Sequence, residues 1–356
     1  MGTISDDNDS FECSLCGWGQ TEKMCVSCEQ KLEQAMNNNN DISQNDTITN
    51  KDLSITAAKP NDKSTCASCG KEGDSDNMNT CNKCKSVKYC NAACKKKHKT
   101  KHKKACERIV AELHDEALFK EVEPKECPIC MLPMLLETHT SSFRACCGKS
   151  ICNGCVYAME MSDEKDLCPF CRSPNAKTDE ENIKRVTKLM EVNNAQAFYM
   201  LAYSYHEGRL GMQRDRQKAN ELLLKAGELG HAQAYHNLGI SYSNGFGVEL
   251  DMNKAKYYWE LAAMMGDTSA RHNLGSLEGQ AGNHRRAFRH YMISAKGGYD
   301  DSLGMVKKGF MNGNVTKDEY ASTLRAYHER QKEMKSDERD KASIYYALGL
   351  GRLELI

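Results

Sequence analysis

The residues best suited to chemistry in this chain are its nineteen cysteines, all of which lie between Cys13 and Cys171. Residues 172–356 contain none. Most of the cysteines form C-x-x-C pairs, and such a turn places two thiolates where they can take two corners of a tetrahedral zinc site. The front half is therefore predicted to be a series of zinc modules. The pairs are Cys13/Cys16, Cys25/Cys28, Cys66/Cys69, Cys81/Cys84, Cys127/Cys130, Cys152/Cys155 and Cys168/Cys171.

The compartment decides whether such thiols form disulfides or bind metal. Residues 1–10 are polar and acidic, unlike a secretory signal, and no run of eighteen apolar residues that could span a membrane occurs. We therefore expect a cytoplasmic or nuclear protein that is not attached to a membrane, with reduced thiols bound to zinc.

The first cysteine cluster occupies residues 1–32 and has four thiolates, which complete one structural zinc site with no open position for catalysis. It resembles a minimal zinc ribbon. Residues 33–64 are rich in Asn, Asp, Ser and Thr, a composition that cannot support a core, so they are predicted to be a flexible linker. The four ligands of this cluster are Cys13, Cys16, Cys25 and Cys28.

A second module spans residues 65–106 and contains eight ligand-type residues, enough for two zinc ions. A segment of about forty residues buries too little apolar surface to fold alone, so the metal must supply the folding energy. The spacing resembles the MYND-type zinc finger, including the Lys88-Tyr89-Cys90 segment and the His102-x3-Cys106 ending. The resemblance implies one zinc on Cys66, Cys69, Cys90 and Cys94, and another on Cys81, Cys84, His102 and Cys106.

MYND fingers dock short, often proline-containing peptides, so the resemblance also implies a peptide-binding role. Lys99 stands where the family usually has tryptophan. Seven lysines lie between Lys95 and Lys104. This run could contact nucleic acid or form the solvated face of the finger's last helix, and no aromatic residues interleave it for base stacking. His98 is either a spare ligand or a solvated helix residue.

Residues 107–123 repeat apolar groups at helical spacing and predict a bridging helix that ends at Pro124. Residues 124–175 then resemble a RING-type finger, with its Cys-Pro-Ile-Cys and Cys-Pro-Phe-Cys loops. A RING has histidine where this chain has Lys149, and a protonated lysine has no lone pair for a metal. Because Lys149 is a poor ligand, Cys146 is expected to complete the set, and all eight ligands would then be thiolates. One zinc would take Cys127, Cys130, Cys152 and Cys155, and the other Cys146, Cys147, Cys168 and Cys171.

A RING finger recruits a ubiquitin-conjugating enzyme through a few conserved contact positions, which fall on Ile129, Pro169 and Arg172 in this chain. The alternative is that Ile129 and Pro169 only shape the zinc loops and that Arg172 is a surface residue. A RING-type ubiquitin-protein ligase is the one enzymatic activity that these patterns indicate.

The back half repeats itself with a period near 36 residues over 193–300, after a linker or helix at 176–192. Leu201, Leu238 and Leu274 recur in step, and a Gly-rich loop around Phe246 divides the second unit into two helical patterns. These units resemble Sel1-like repeats, relatives of the tetratricopeptide repeat, and must stack to bury their apolar faces. Residues 301–356 are predicted to be a degenerate repeat and cap. Five tyrosines could line a groove or pack between helices: Tyr199, Tyr203, Tyr235, Tyr242 and Tyr257.

The fold class expected is therefore multidomain, with small zinc-stabilised modules followed by an all-α solenoid. The functions expected are a protein-binding scaffold, a RING-type ligase whose substrate is chosen by the repeats and the MYND finger, or a nucleic-acid-associated regulator that uses the basic helix. Counting one zinc in the first cluster and two in each larger module predicts about five per chain.

Overall fold

A computed structural model describes residues 63–134, 141–163 and 166–349. These residues form two compact units, one ending at Lys120 and the other beginning at Glu121. The first cysteine cluster, most of the predicted linker and the last seven residues lie outside the described residues.

The first unit contains two short antiparallel hairpins and one long helix. Strand β1 (Lys63–Thr65) pairs with β2 (Glu72–Asp74), and β3 (Asn79–Thr80) pairs with β4 (Lys88–Tyr89). Most of the core consists of the ligand-type residues themselves. The buried members of its cluster are Cys66, Met78, Cys81, Cys84, Tyr89 and Cys106.

Helix α1 (Ala92–Leu118) follows directly, and the Asn91 side chain caps it by accepting the amide N–H of Cys94 at 2.9 Å. Its first part contains Cys94, His102 and Cys106, the last three ligand-type residues of the finger. Its second part is the predicted bridging helix. The two predicted elements are therefore one continuous helix, because Ala, Lys and Glu dominate the sequence across their junction and favour helix. The helix ends at Leu118, six residues before Pro124.

The second unit begins with the other cysteine module. Strands β5 (Ser141–Arg144) and β6 (Lys149–Cys152) form a hairpin in which Ser141 pairs with Cys152 and Arg144 with Lys149. Helix α2 (Asn153–Glu160) follows at once. Buried Ile151 and Val156 pack among the cysteines of this module.

Seven helices of almost equal length then form the repeat array. Helix α3 is part of it, although the sequence indicated a linker or helix there, because buried Val186 belongs to the core of the first repeat. The helices are α3 (Asp179–Glu191), α4 (Ala195–Glu207), α5 (Arg216–Glu228), α6 (Ala232–Asn244), α7 (Met252–Met264), α8 (Thr268–Gln280) and α9 (His284–Lys296).

Each repeat begins with the same kind of helix cap. The side chains of Asn194, His231 and Asp267 accept the amide N–H three residues further on, at 3.0, 3.3 and 2.7 Å. In the first two repeats, Gly208 and Gly245 end the first helix in the left-handed conformation that glycine adopts at low cost.

The third repeat replaces that glycine loop with a short turn. Buried Glu278 accepts hydrogen bonds from Lys256 at 2.9 Å and from Asn283 at 2.8 Å, and it lies 3.6 Å from Arg286. These contacts hold the end of α8 beside the start of α9.

Close packing within each repeat depends on small residues opposite aromatic ones. Leu238 is 2% exposed, as its place in the repeat pattern requires. A Cβ on Gly239 of α6 would collide with the indole of Trp259 on α7, and one on Gly275 of α8 would lie 2.7 Å from the Tyr291 ring on α9. Glycine at these two helical positions therefore allows the paired helices to approach each other.

The predicted groove tyrosines have mixed positions. Tyr199 is buried and stacks on His231 at a centroid distance of 4.3 Å, so it serves packing. Tyr235 and Tyr242 stack on Tyr258, which was not among the predicted residues. Tyr203 is half-buried, and Tyr257 is 39% exposed.

Phe246 folds back onto the repeat before its own. The Asn220 side-chain amide donates to the Phe246 carbonyl at 2.7 Å, and the Arg216 guanidinium lies 4.5 Å from its ring centre. The loop therefore connects neighbouring repeats.

The C-terminal segment caps the array only in part. Helices α10 (Asp300–Met311) and α11 (Lys317–Glu333) cover α9, and Val306 and Val315 pack against Tyr291. Helix α12 (Asp337–Ala347) instead packs against α2 of the cysteine module. No helix among the described residues is long and apolar enough to cross a membrane.

The glycine–aromatic contact yields a test of the packing. Gly239→Ala should lower the free energy of unfolding by about 1–3 kcal/mol, because the added methyl overpacks the site against Trp259. The matched control is Gly304→Ala on α10, where an added Cβ meets nothing within 4 Å. That change should stabilise the protein by about 0.5–1 kcal/mol through helix propensity alone. Urea unfolding followed by circular dichroism measures both, and equal effects would contradict the packing account.

The His231 cap gives a pH dependence. Burial, and secondly Lys125, lower the pKa of His231 to about 3. The unfolded chain binds a proton near pH 6.5 and the folded chain does not, so stability falls as the pH falls below about 6.5. His231→Asn keeps the cap acceptor, as Asn194 does in the first repeat. Wild type should lose up to about 1.4 kcal/mol per pH unit relative to this variant between pH 6.5 and 5. A constant difference in unfolding free energy over that range would disprove the effect.

Candidate metal centres

Four of the C-x-x-C turns fold in the same way. In each, the residue after the second cysteine donates its amide N–H to the carbonyl of the first cysteine, at 2.8–3.1 Å. That residue has a positive φ, although only one of the four is glycine. This tight turn directs both sulfur atoms to one side. The residues concerned are Gly70, Lys85, Met131 and Arg172.

The MYND-type module brings its eight ligand-type residues into the two groups that the resemblance implied. Within each group the ligand atoms all lie within 4.8 Å of one another. The Sγ–Sγ distances from Cys90 are 3.7 Å to Cys69 and 3.6 Å to Cys94. Four sulfurs at about 2.3 Å from one zinc ion would be about 3.8 Å apart, whereas a disulfide needs about 2.0 Å. The spacing therefore fits a tetrahedral metal site and excludes a disulfide.

The second group of this module contains the histidine. Cys84 Sγ lies 3.3 Å from His102 Nε2, and Cys81 Sγ lies 3.7 Å from Cys106 Sγ. His98 lies outside this group: its Nδ1 is 3.3 Å from the Tyr89 hydroxyl, and its ring stacks on His102. His98 thus supports the orientation of a ligand-type residue, a role that its spacing in the sequence does not reveal.

The lysine run divides into one structural residue and an exposed set. We call each C-x-x-C turn a knuckle. Lys95 donates to the Thr80 carbonyl at 2.8 Å and to the Asn82 side chain at 2.7 Å, so it joins the helix to the Cys81/Cys84 knuckle. The other six are exposed on the outer face of α1: Lys96, Lys97, Lys99, Lys101, Lys103 and Lys104.

The second module also divides into two groups of four, both made only of cysteines. The first group joins the pair Cys127/Cys130 to the pair Cys152/Cys155. The Sγ–Sγ distances are 3.8 Å for Cys127–Cys155 and 3.7 Å for Cys130–Cys152. The second group joins the middle of the module to the last pair. It contains Cys146, Cys147, Cys168 and Cys171, all within 4.8 Å.

The hairpin turn explains how two adjacent cysteines reach one site. The amides of Cys147 and Gly148 both donate to the Arg144 carbonyl, at 3.1 and 2.8 Å, and Gly148 takes a positive φ. Cys147 Sγ then lies 3.7 Å from Cys168 Sγ. Lys149 follows at the start of β6, where its ammonium lies 4.4 Å from the Phe170 ring centre. Lys149 thus lies on the strand, outside the group of four sulfurs.

Local hydrogen bonds favour the thiolate form at selected positions. The backbone amide of Cys90 lowers the pKa of Cys66 to about 6. The Ser173 hydroxyl, 3.3 Å from the sulfur of Cys171, lowers the pKa of that thiol to about 6. A hydrogen bond with the Cys94 sulfur raises the pKa of Cys90 in the same group as Cys66 to about 12, so the lowered pKa values do not extend to every sulfur of a site.

The positions expected to contact a conjugating enzyme all lie on the knuckles. Ile129 is 41% exposed, Arg172 is exposed and Pro169 is half-buried. The two knuckles are equivalent, so Met131, which is 64% exposed, corresponds to Arg172.

One residue near these sites has no signal in the local sequence. Helix α12 brings Arg339 to the first group of the second module, where its Nη2 lies 3.6 Å from Cys130 Sγ. The two residues are 209 positions apart, so spacing could not reveal their contact.

The fold and sites define a small cysteine-rich finger module followed by a helical repeat solenoid. Residues 66–106 match the family described as MYND finger. Residues 195–231, 232–267 and 268–299 match the family described as Sel1 repeat. Both expectations from the sequence are confirmed. The two matches support a zinc-binding protein of the interaction-adaptor class, and the described residues contain several potential metal sites.

Curated relatives match over a limited length. A sel1-like repeat-containing protein of Acanthamoeba polyphaga mimivirus is 34% identical over 80 residues, 22% of this chain and 15% of that protein. The ERAD-associated E3 ubiquitin-protein ligase components HRD3B and HRD3A of Arabidopsis thaliana are 30% and 33% identical over 124 residues. That is 33% of this chain in both cases, and 19% and 17% of those proteins. The chain thus spans less than a fifth of their lengths.

Solved structures are also similar. A Sel1 repeat protein from Oxalobacter formigenes is 23% identical with a TM-score of 0.38, covering 52% of this chain and 73% of that chain. The protective antigen c5321 of uropathogenic Escherichia coli, described as an SLR fold, is 20% identical with a TM-score of 0.36, covering 47% and 37%.

The all-cysteine group of the hairpin can be tested by metal content. Cys146→Ser and Cys147→Ser should each lower the zinc content by one equivalent per chain, because each removes one of four ligands. Lys149→Ala is the control and should keep the wild-type content. Metal analysis after purification under reducing conditions measures all three. A loss of zinc in Lys149→Ala, with none in Cys146→Ser, would reverse the assignment. The wild-type total of about five stays a prediction, since the first cluster lies outside the described residues.

Proposed function

We propose that this protein is a zinc-binding adaptor whose second cysteine module recruits a ubiquitin-conjugating enzyme, while the MYND finger and the Sel1 repeats hold the substrate protein. The main support for this proposal is that the two groups of four cysteines in that module are interleaved along the chain. The pairs Cys127/Cys130 and Cys152/Cys155 meet in one group. The hairpin cysteines meet the last pair, Cys168/Cys171, in the other. This cross-braced arrangement is what the resemblance to a RING finger implies.

The residues of this module fit zinc by their donor chemistry. Each group offers four sulfur donors at tetrahedral spacing, and a closed thiolate set suits a structural ion. Cys127, Cys130, Cys152 and Cys155 would hold one ion, and Cys146, Cys147, Cys168 and Cys171 the other. Bound zinc would supply folding free energy to loops that have little apolar core of their own.

The exposed knuckles supply the contact surface in this proposal. Ile129 and Met131 are large apolar residues held outward by a rigid turn, and Arg172 occupies the matching turn of the last pair. A ligase of this type makes no covalent bond to ubiquitin. It orients the charged conjugate, and an arginine that donates to both proteins favours the reactive geometry.

The repeat array supports the substrate-binding half of the proposal. Tyr235, Tyr242 and Tyr258 form a stacked row, and partly exposed Tyr257 lies 5.3 Å from the Tyr258 ring. Exposed tyrosines are frequent anchors in protein interfaces. The relatives described as ubiquitin ligase components match this chain at about one third identity. The role in their names, components of a ubiquitin ligase, agrees with a partner in ubiquitin transfer.

A second candidate function is a nucleic-acid-associated regulator that uses the exposed lysines of α1. The six lysines lie within three helical turns, and acidic residues follow them on the same helix. Such a surface would contact phosphates rather than bases, so binding would weaken steeply with salt. The adaptor function is favoured because it uses both cysteine modules and the repeats.

The ligase proposal predicts a specific loss of activity. Ile129→Ala and Arg172→Ala should each reduce ubiquitin discharge from a charged conjugating enzyme at least about tenfold, since each removes a contact that orients the conjugate. Arg325→Ala, which alters an exposed arginine on α11 away from the knuckles, is the control and should keep most activity. Single-turnover discharge assays with a panel of conjugating enzymes measure this, with zinc content checked for every variant. Wild-type protein inactive with the whole panel would leave a scaffold without ligase activity.

A further inference from the structure

Helix α12 lies directly on the second cysteine module. A Cβ on Gly154, at the start of α2, would lie 2.7 Å from Arg339 Cγ and 2.9 Å from the Arg339 amide nitrogen. Only glycine therefore allows the two backbones to approach this closely. Further along, the Tyr345 ring contacts Tyr157 edge-on at 5.3 Å, and Tyr346 packs into the core of the module. The contact extends over most of α2.

The Arg339 side chain connects three parts of the chain at this interface. Its Nη1 donates to the Pro133 carbonyl at 2.7 Å and to the Met334 carbonyl at 2.8 Å. Its Nη2 lies 3.3 Å from the Leu132 carbonyl oxygen and 3.6 Å from Cys130 Sγ. Leu132 and Pro133 belong to the loop after the first knuckle, and Met334 ends helix α11. One guanidinium thus joins the loop, a ligand-type sulfur and the end of the array cap.

The charge of a four-thiolate site favours a partner of this kind. Four thiolates and one zinc ion carry a net charge of about −2. A partly buried anionic site is stabilised by hydrogen-bond donors aimed at its ligands, and such outer residues orient the ligands. Arginine suits this position because its planar fork of donors stays charged and can serve several acceptors at once.

We propose that Arg339 is a positioning residue of the Cys127/Cys130/Cys152/Cys155 site. It donates an N–H to the Cys130 thiolate and lowers its reactivity, and helix α12 is thereby a structural part of the second module. The inference rests on the proposed zinc site. It makes metal retention depend on a helix that the local motif does not contain.

The experiment uses the full chain with Arg339→Met, which keeps much of the side-chain bulk but removes the donors. Arg339→Lys keeps the charge with fewer donors, and Arg325→Met alters an exposed arginine on α11 as the matched control. Two rates are measured: zinc release to the chromophoric chelator 4-(2-pyridylazo)resorcinol, and alkylation of individual cysteines by N-ethylmaleimide, located by mass spectrometry.

Arg339→Met should release one zinc equivalent about 10–100-fold faster than wild type, as for other lost outer partners of metal ligands. Cys130 should be alkylated faster, whereas the exposed Cys69 and Cys171 should keep their rates. Arg339→Lys should restore part of the protection, and Arg325→Met should match wild type. Unchanged zinc release and an unchanged Cys130 rate in Arg339→Met would overturn the proposal.

Undocking of α12 must be separated from loss of the N–H donor. Ala342, 1% exposed on α12, provides the comparison, because Ala342→Glu should undock the helix. Faster alkylation of all four cysteines by similar factors in both Ala342→Glu and Arg339→Met would reduce Arg339 to a packing residue and refute the proposed donor role. A failure of the zinc site itself is distinguishable, since Cys130→Ser would then leave the wild-type zinc content unchanged.

Discussion

The tetrahedral spacing of ligand atoms is the constraint on which the cysteine-rich half depends. In the MYND-type module, Met78 and Tyr89 are the buried apolar residues that accompany the ligand-type cysteines. Such a core is too small to offset the chain entropy of about forty residues. The sulfur groups therefore replace a hydrophobic core, and helix α1 is aligned by carrying ligands of both groups of the module.

The second cysteine module differs because it also shares cores with the repeat array. Phe143 of its hairpin is buried in the first-repeat cluster with Val186 and Tyr199. At its other side, α12 packs against α2 after the chain has passed through all repeats and the cap. This module is therefore supported from both ends of the array. In the function we propose, a substrate protein bound to the repeats would lie at a defined position relative to the knuckles.

The array obtains its regularity from features that recur with the repeat. Helix caps at Asn194, His231 and Asp267 start the first helix of each unit, and small residues let the paired helix approach. Where the third unit lacks the glycine loop, Glu278 and its basic partners make the connection instead. Each unit is stabilised by its neighbours, as expected for a solenoid.

Local spacing in the sequence determined the C-x-x-C knuckles, the MYND-type pattern and the repeat period, because turns and helices depend on residues that are close along the chain. The resemblance to the two finger families also implied the grouping of the cysteines that the structure brings together. Packing decided the rest. Helix α3 joins the array, and Arg339 reaches Cys130. These outcomes arise from contacts between residues far apart in sequence. Such contacts form, and contribute their energy, only in the folded protein.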